Sequence, residues 1–281
     1  MPELPEVETV RRGLNQMTRG LEIVGGDVLL ARTVAHPFLV ADFLAGLQRS
    51  AIAQWHRRGK YLLAELTRSG QAAGWLGVHL RMTGQLLWLL QDDPLQKHTR
   101  IRLFFSDRRE LRFVDMRTFG RLWWVSPEEE LDNAIAGLQK LGPEPFSADF
   151  SLDYLAQALS HRRRPIKNAL LDQSLVAGVG NIYADEALFL SGIRPTTLCT
   201  VLRRTQIQRL HKQLIQVLQA SIEVGGTSFS SFLDVRGING NYGGVAQVYN
   251  REGQPCRTCG QPIQRIKLAG RSAHFCLQCQ K

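Results

Sequence analysis

The sequence predicts a multidomain α+β protein in which an early helix and a β-sandwich precede a helical region and a terminal metal-binding hairpin. Three observations predict this class. Apolar residues recur at helical spacing from residue 4, short strands follow to about residue 125, and helical spacing returns over residues 151–224. The chain has 281 residues, of which 44% are hydrophobic, so it can form about two domains with real cores.

The first helix is predicted over residues 4–20, because Val7, Val10 and Leu14 lie on one face and Gly20 can close it. The residues before it have two interpretations. Pro2 and Glu3 could simply begin this helix, with the acidic side chains near its N-terminal dipole. Alternatively, removal of Met1 would leave Pro2 as a secondary amine beside a carboxylate, which is a nucleophile able to form an iminium.

The next hundred residues are dominated by short strands. Residues 51–55 and 61–66 flank a tight turn and predict a hairpin, and residues 101–105 and 111–114 predict another. Further strands are predicted at residues 75–80, 85–90 and 121–125. One early helix with many short strands predicts a β-sandwich or barrel over about residues 1–125.

Turn residues and helical spacing describe the middle of the chain. Residues 126–129, Ser-Pro-Glu-Glu, predict a capped helix start, and Gly-Pro-Glu-Pro at residues 142–145 predicts a hinge. Helical spacing then continues over residues 151–224. Residues 225–253 are rich in Gly, Ser and Asn, which predicts a long functional loop.

The strongest single motif is a pair of Cys-x-x-Cys sequences near the end of the chain. Cys256 and Cys259 are separated from Cys276 and Cys279 by sixteen residues, which is the spacing of a four-thiolate zinc site. The alternative is two disulfides, which a reducing compartment disfavours. Because cysteine fills every position, the ion is predicted to be a single structural Zn²⁺ with no open site for substrate.

Charge predicts a polyanionic partner. The formal net charge is +10, and residues 251–281 carry six basic side chains against one acid. This balance favours nucleic acid over an anionic membrane. The acidic N-terminus without a signal segment, and the lack of a membrane-length apolar run, predict a cytoplasmic protein.

A weaker motif precedes a predicted helix at residue 181. Gly178 and Gly180 could expose backbone N–H groups to a phosphate, and Asn181 could add a side-chain donor. A Gly-x-Gly sequence often only makes a turn between helices. The basic run at residues 161–164, followed by Lys167, favours a phosphate-binding surface.

Five motifs that lie far apart in the chain resemble one family. They are Met-Pro-Glu-Leu-Pro-Glu at the start, Arg-Arg-Gly-Lys-Tyr at residues 57–61, His-Leu-Arg-Met-Thr-Gly at residues 79–84, Val-Gly-Asn-Ile-Tyr-Ala at residues 179–184, and the four cysteines. Together, in this order, they resemble bacterial formamidopyrimidine-DNA glycosylase, which excises 8-oxoguanine and ring-opened purines. The resemblance covers essentially the whole chain.

The resemblance implies a domain order. It predicts an N-terminal β-sandwich catalytic domain over residues 1–125 and a linker helix with a hinge over 126–150. A helix–two-turn–helix DNA-binding domain with a flap loop would occupy 151–240, and a zinc finger 241–281. The flap, around residues 227–244, would cover an extruded base. The protein would act as a monomer on double-stranded DNA containing damaged bases or abasic sites, in the bacterial cytoplasm with the nucleoid.

The resemblance also implies catalytic roles. Pro2 would attack C1′ of the damaged nucleotide as the base departs, and Glu3 would serve as acid and base. Lys60 would assist base loss and β-elimination, and as a nearby cation it would lower the pKa of the terminal amine. Arg271 matches a zinc-finger arginine linked to phosphate binding and δ-elimination.

DNA-binding roles follow in the same way. His79 and Lys167 match phosphate contacts, and Asn181 matches the asparagine that holds the backbone beside the lesion. His98 and Arg162 fall in segments that touch DNA in the family.

Base extrusion requires side chains that fill the gap in the stack. Met82, Arg117 and Phe119 match the family's inserted residues, although Met82 and Phe119 could instead be core residues of strands. Met116 and Thr118 depart from the pattern expected of this loop, which bears on its shape.

Three other functions are compatible with parts of the pattern. An endonuclease VIII-type glycosylase would prefer oxidised pyrimidines, but Leu4 and the inserted residues argue against it. A non-catalytic DNA-binding zinc protein would not need Pro2, Glu3 and Lys60 together. An unrelated N-terminal proline enzyme acting on small carbonyl compounds would leave the basic charge and the zinc site without a purpose.

Overall fold

The computed structural model describes residues 1–227, 235, 237 and 242–281. Most of the predicted flap therefore lies outside the described residues. The chain forms two compact units, Met1–Gln139 with Gly225–Gly240 and Lys140–Val224 with Asn241–Lys281. The finer four-part division stays a prediction.

The first unit contains helices and strands in the following order: α1 (Leu4–Thr18), β1 (Glu22–Val28), β2 (Val34–His36), α2 (Val40–Leu47), β3 (Ser50–Arg58), β4 (Tyr61–Arg68), β5 (Gln71–His79), β6 (Gly84–Leu90), β7 (Thr99–Phe105), β8 (Arg109–Asp115), β9 (Arg121–Val125), α3 (Leu131–Ala134) and α4 (Ala136–Gln139). The strands join in one sheet with the order β2-β9-β5-β4-β3-β1-β7-β8-β6. All described neighbours pair antiparallel except β2 and β9.

This sheet encloses a single core. Val7, Val10 and Leu14 of α1 are buried in one cluster with side chains from both halves of the sheet, such as Leu62 of β4 and Phe113 of β8. Two distant parts of one sheet can share a core only if the sheet folds over itself, as in a sandwich. The halves are β2-β9-β5-β4-β3 and β1-β7-β8-β6, and two of the loops that connect them lead from β5 to β6 through residues 80–83 and from β8 to β9 through residues 116–120.

The second unit is helical before it ends in a small hairpin. Its elements are α5 (Leu152–Ser160), α6 (Ile166–Leu170), α7 (Asn181–Leu190), α8 (Arg204–Glu223), β10 (Gln264–Leu268) and β11 (Arg271–Phe275). Ser151 caps α5 by accepting a hydrogen bond from the Tyr154 amide at 3.1 Å. Strands β10 and β11 pair antiparallel around Gly270, which has φ +81°.

The mixed α+β class is confirmed, and both predicted hairpins form as β3–β4 and β7–β8. The helix predicted to start at residues 126–129 is wrong at that position. Those residues form turns, and the short α3 begins only at Leu131 with Glu130 as its N-cap. Within the part of the chain that the structure describes, none of the helices combines the length and the hydrophobicity of a membrane span.

Candidate functional site

The N-terminal residues lie buried at the start of α1. Pro2 is buried and Glu3, which is the N-cap of the helix, is only 2% exposed. The Glu6 carboxylate accepts a hydrogen bond from the Glu3 amide at 2.8 Å and one from the Thr227 amide at 2.8 Å. This one buried carboxylate therefore ties the residues beside Pro2 to the segment where the predicted flap begins.

Lys60 sits at the turn between β3 and β4 and is 8% exposed. Gly59 allows the turn because its φ is +54°, a conformation that favours glycine. Arg57 fixes the turn from one side: it donates to the Gly59 carbonyl at 3.1 Å and to the Glu8 carboxylate of α1 at 3.2 Å. The turn that carries Lys60 is thus attached to the first turns of the helix that follows Pro2.

Glu8 forms ion pairs with several arginine side chains. Burial by itself would raise its pKa, but ion pairs with Arg11, Arg12 and Arg57 outweigh burial and lower it. Glu8 therefore stays ionised and holds these guanidinium groups around the N-terminal half of α1.

His79, at the end of β5, is a buried neutral imidazole. Burial, helped by the nearby positive charges of Arg81 and Lys60, lowers its pKa to about 3. Its Nδ1 accepts a hydrogen bond from the Arg81 amide at 3.0 Å, so the ring proton of the neutral form lies on Nε2. The Tyr61 ring packs edge-on at 4.5 Å. His79 can therefore offer one N–H donor near two cations.

The two loops that connect the halves of the sheet are held together by Asp115. This buried carboxylate accepts hydrogen bonds from the Thr83 hydroxyl at 2.5 Å, the Arg117 amide at 3.2 Å and the Gly120 amide at 2.7 Å. Asp115 thus sets the position of residues 80–83 relative to residues 116–120.

Both loops contain a non-glycine residue in the left-handed region. Arg81 has φ +54° and Thr118 has φ +58°. Such conformations are strained for ordinary side chains, above all for a β-branched one, and they concentrate at functional sites. The Thr118 hydroxyl accepts a hydrogen bond from Arg32 at 2.7 Å, which helps to hold the unexpected threonine in place.

The structure presents the predicted inserted side chains on these loops. Phe119 is 50% exposed, and the Arg117 guanidinium lies 5.1 Å from its ring centroid. Met82 is half-buried. The core interpretation of Phe119 is therefore excluded. His98 lies close by, since its carbonyl accepts from the Asp115 amide at 2.9 Å and its Nδ1 is 3.2 Å from Arg100.

In the second unit, the basic run at residues 161–164 is partly engaged within the protein. Arg162 contacts Asp172 at 2.8 Å, and Arg164 binds the same carboxylate. Burial opposes ionisation of Asp172, but bonds from Arg164, Ser174 and Arg162 outweigh it and lower the pKa. Arg162 is thus held in a fixed orientation, and its contact with DNA stays a prediction.

Lys167 is buried rather than presented at the surface. Its ammonium lies 2.5 Å from the Asp185 carboxylate and donates to the Ser272 carbonyl at 2.5 Å. Asn181, the first residue of α7, donates from Nδ2 to the Ser272 hydroxyl at 3.3 Å. The Asn181 Oδ1 atom is buried without a hydrogen-bond partner among the described residues. A 180° turn of the amide would exchange its donor and acceptor ends, and either end can meet a ligand.

The four cysteines form a metal-binding cluster. Their sulfur atoms all lie within 4.8 Å of one another, with Cys256–Cys279 at 3.9 Å and Cys259–Cys276 at 3.4 Å. A tetrahedral zinc site with bonds of about 2.3 Å places its sulfurs roughly 3.8 Å apart, whereas a disulfide would need about 2.05 Å. The geometry fits one structural Zn²⁺.

Arg271 opens β11 directly after Gly270 and is exposed. It lies in the same hairpin as Arg265 and Lys267 of β10. The hairpin therefore presents positive charge from a short, rigid element beside the metal-binding cluster.

Three residues of the site, Asp115, Asp185 and His274, lie outside the five motifs, and Thr83 lies within one of them without being assigned a role. Asp115 lies within the segment that contains Arg117 and Phe119, and Asp185 lies four residues after Asn181. A carboxylate beside a motif residue is the available signal, but only the fold reveals which backbone groups each one binds.

Three family models match the chain. Residues 1–122 match the formamidopyrimidine-DNA glycosylase N-terminal domain, and residues 141–233 match the formamidopyrimidine-DNA glycosylase H2TH domain. Residues 253–281 match the zinc finger found in FPG and IleRS.

Curated relatives match over the full length. A formamidopyrimidine-DNA glycosylase of Nostoc punctiforme is 67% identical over 280 residues, covering 100% of this chain and 96% of that protein. The protein of the same name from Acaryochloris marina is 65% identical over 281 residues, covering 100% of this chain and 99% of that protein.

Solved structures agree. A mutant Lactococcus lactis FPG in complex with a Fapy-dG containing DNA has a TM-score of 0.91 at 36% identity, with 100% of both chains covered. The MutM (FPG) protein of Thermus thermophilus has a TM-score of 0.88 at 38% identity, covering 99% of this chain and 98% of that one.

Proposed function

The chain belongs to the formamidopyrimidine-DNA glycosylase family, and from this premise we propose that Pro2 is the nucleophile with which it removes oxidised purines from DNA. The activity is that of a base-excision-repair glycosylase with AP lyase activity, and its substrate is double-stranded DNA containing damaged bases or abasic sites. A single structural Zn²⁺ is held by the four cysteines.

The observation that carries the catalytic assignment is the burial of Pro2, Glu3 and Lys60 in one unit. Charged groups are rarely buried without a specific task, because their desolvation is costly. Arg57 and Glu8 attach the turn that carries Lys60 to the helix that follows Pro2.

In the proposed reaction, the Pro2 nitrogen, once Met1 is removed, forms a bond to C1′ of the damaged nucleotide. The bond between C1′ and the base breaks. Glu3 acts as acid and base in the proton transfers at the sugar and the leaving group. The bond between C1′ and the ring oxygen O4′ then breaks, O4′ takes up a proton, and an iminium forms at C1′. The iminium withdraws electrons from the sugar, which allows β-elimination and then δ-elimination of the flanking phosphates. Lys60 keeps the amine neutral and assists these steps.

DNA recognition is divided between the two units. On the first unit, Met82, Arg117 and Phe119 fill the gap left by the extruded nucleotide, and His79 donates to a phosphate through Nε2–H. On the second unit, Asn181 and the exposed Arg271 bind the backbone. We propose that Lys167 acts indirectly, since its ammonium is already bound to Asp185 and Ser272. We place the protein at the bacterial nucleoid in the cytoplasm, where its substrate lies.

Borohydride trapping on duplexes that contain 8-oxoguanine or an oxidised pyrimidine tests this proposal. Borohydride reduces the iminium to a stable amine, so the purine duplex should give a covalent adduct at Pro2. Pro2→Gly replaces the secondary amine by a primary one, and Pro2→Gly and Glu3→Gln should each lower base excision by on the order of 100-fold or more.

Asp42→Asn serves as the control, since Asp42 is an exposed residue of α2, an element that carries none of the residues assigned a role. A stronger adduct on the oxidised pyrimidine would support an endonuclease VIII-type specificity instead. The absence of any adduct, with DNA binding intact, would support a non-catalytic DNA-binding protein.

A further inference from the structure

Asp185 occupies a central position in the second unit. It lies on α7, is 1% exposed, and uses both carboxylate oxygens. One oxygen binds the Lys167 ammonium of α6 at 2.5 Å. The other accepts from the His274 amide at 2.9 Å and lies 3.1 Å from the His274 Nδ1 atom. One buried carboxylate therefore connects two helices to β11.

The same network of hydrogen bonds includes Ser272. We define the Asp185 cluster as Lys167, Asp185, Ser272 and His274. The Lys167 ammonium donates to the Ser272 carbonyl at 2.5 Å, and the Ser272 hydroxyl accepts from Asn181 at 3.3 Å. The first half of β11 is thus fixed to the helices at several backbone and side-chain atoms.

Strand geometry shows what this attachment controls. Alternate residues of a strand point to opposite faces, so Ser272 and His274 share the face that meets the helices. Arg271 precedes Ser272 directly and is exposed. The direction of the Arg271 side chain and the position of the Asn181 amide therefore both depend on where Ser272 is held.

A buried ion pair contributes little to the net stability of a protein. Its desolvation offsets much of the attraction, and apolar residues of similar volume would pack at least as well. Its advantage is directional, because a carboxylate with three donors fixes their positions. The Tyr249 ring closes the site against the His274 ring, with centroids 5.0 Å apart.

We propose that Asp185 is a positioning residue for the phosphate-binding pair Asn181 and Arg271, an inference that rests on the proposed function. It acts through Lys167, His274 and Ser272, and it does not touch the DNA. Disturbing it should weaken DNA binding and the second elimination more than base removal, since Pro2 and Glu3 lie in the other unit.

The test uses the full-length zinc-loaded protein and a duplex containing 8-oxoguanine. Asp185→Asn places an amide donor against the buried ammonium, and Lys167→Met with Asp185→Asn removes that conflict while keeping an acceptor for the His274 amide. Asp153→Asn is the matched control, because its carboxylate pairs with Arg204 at the exposed surface of the same unit.

The measurements are KM and kcat for base excision, the ratio of δ- to β-elimination products, and zinc content. In the double variant, KM should rise and the elimination ratio should fall, each by on the order of 10-fold, while kcat stays within about 2-fold. The control should match the wild type in every measurement.

The proposal is overturned if the double variant retains zinc and shows unchanged KM and elimination ratio. Should the double variant fail to fold, His274→Phe replaces it, since phenylalanine keeps the ring contact with Tyr249 and removes only the Nδ1 interaction. It should shift KM and the ratio in the same direction, and unchanged values would overturn the proposal. A wild-type protein that excises no 8-oxoguanine would instead contradict the proposed function.

Discussion

At the scale of single residues, His79 shows how burial decides what a side chain can do. A protonated histidine would bind a phosphate more strongly, yet burial and the charges of Arg81 and Lys60 lower its pKa and keep the ring neutral. The neutral ring still donates from Nε2, because the Arg81 amide occupies Nδ1. Because burial is the main cause of the low pKa and the Arg81 amide occupies Nδ1, we expect the ring to stay neutral when a phosphate arrives and to donate through Nε2–H.

This burial has a consequence for stability against pH. The pKa of His79 is lowered to about 3 in the folded protein, whereas an unfolded histidine has a pKa of about 6.5. Between these values the unfolded state binds more protons, so the contribution of His79 is fully present above pH 6.5 and is lost as the pH falls towards 3. From pH 7 to pH 5 the wild type should therefore lose about 2 kcal/mol more than His79→Gln.

Urea unfolding followed by tryptophan fluorescence measures this difference. All five tryptophans lie in residues 55–124, so the signal reports the first unit. A stability difference between the two proteins that does not change with pH would contradict the assignment of His79 as a buried neutral group.

At the scale of elements, the loops at residues 80–83 and 116–120 have two roles. They connect the halves of the sheet, and they contain Met82, Arg117 and Phe119. A linked pair of loops can present inserted side chains at a defined spacing, because Asp115 bonds to both of them. Their rigidity matters since a duplex expels a base only when the inserted groups arrive in the correct place.

Asp115→Asn should loosen this arrangement. An amide offers one acceptor where the carboxylate offers two, so at least one of the Thr83, Arg117 and Gly120 donors would be left unmatched, at a cost of about 1–3 kcal/mol. Excision of 8-oxoguanine should fall by on the order of 10-fold, whereas cleavage at a plain abasic site, where no base must be expelled, should fall less.

Asp107→Asn provides the control, because this exposed aspartate accepts a hydrogen bond from the Arg109 amide in the β7–β8 turn. It should leave both activities unchanged. Equal losses on the lesion and the abasic site would mean that Asp115 supports the fold in general rather than base expulsion.

The elements differ in how well the sequence predicts them. Alternating apolar residues make β3, β4, β7 and β8 clear, but β1 and α2 have no such pattern and are not predicted. The glycine pair Gly25-Gly26 lowers the strand propensity of β1, and its position between β3 and β7 depends on distant partners. The local capping pattern at residues 126–129 predicts a helix, but the chain turns there instead.

In the site, too, features that depend on local sequence are predicted, whereas features that depend on distant residues are not. Pro2, Lys60 and the cysteines belong to local motifs. The chemistry of these motifs can be predicted from residue type and spacing. The attachments made by Glu6, Asp115 and Asp185 bring together residues from distant parts of the chain, which no local pattern contains.

At the scale of the whole molecule, the proposed catalytic residues Pro2, Glu3 and Lys60 lie in one compact unit and the zinc site lies in the other, and each unit has its own buried cluster. Metal binding should therefore affect DNA affinity without determining whether the sheet unit folds. The zinc supplies most of the folding free energy of a four-cysteine hairpin, because so small an element has little apolar core.

Zinc removal tests this separation. After chelation, or in Cys256→Ser, the hairpin should unfold and DNA affinity should fall for damaged and undamaged duplexes alike. The slope of log affinity against log salt should decrease by about one for each phosphate that the protein no longer neutralises. The tryptophan-reported unfolding midpoint should stay at the wild-type value, since every tryptophan belongs to the first unit.

Lys267→Gln, which changes an exposed cation of β10 and retains all four zinc ligands, separates the effect of charge from that of folding. It should lower the salt slope without releasing zinc, because it removes one cation and leaves the hairpin folded. An unchanged DNA affinity after chelation would contradict the role given to the hairpin. A shifted tryptophan midpoint would mean that the sheet unit depends on the zinc site for its stability.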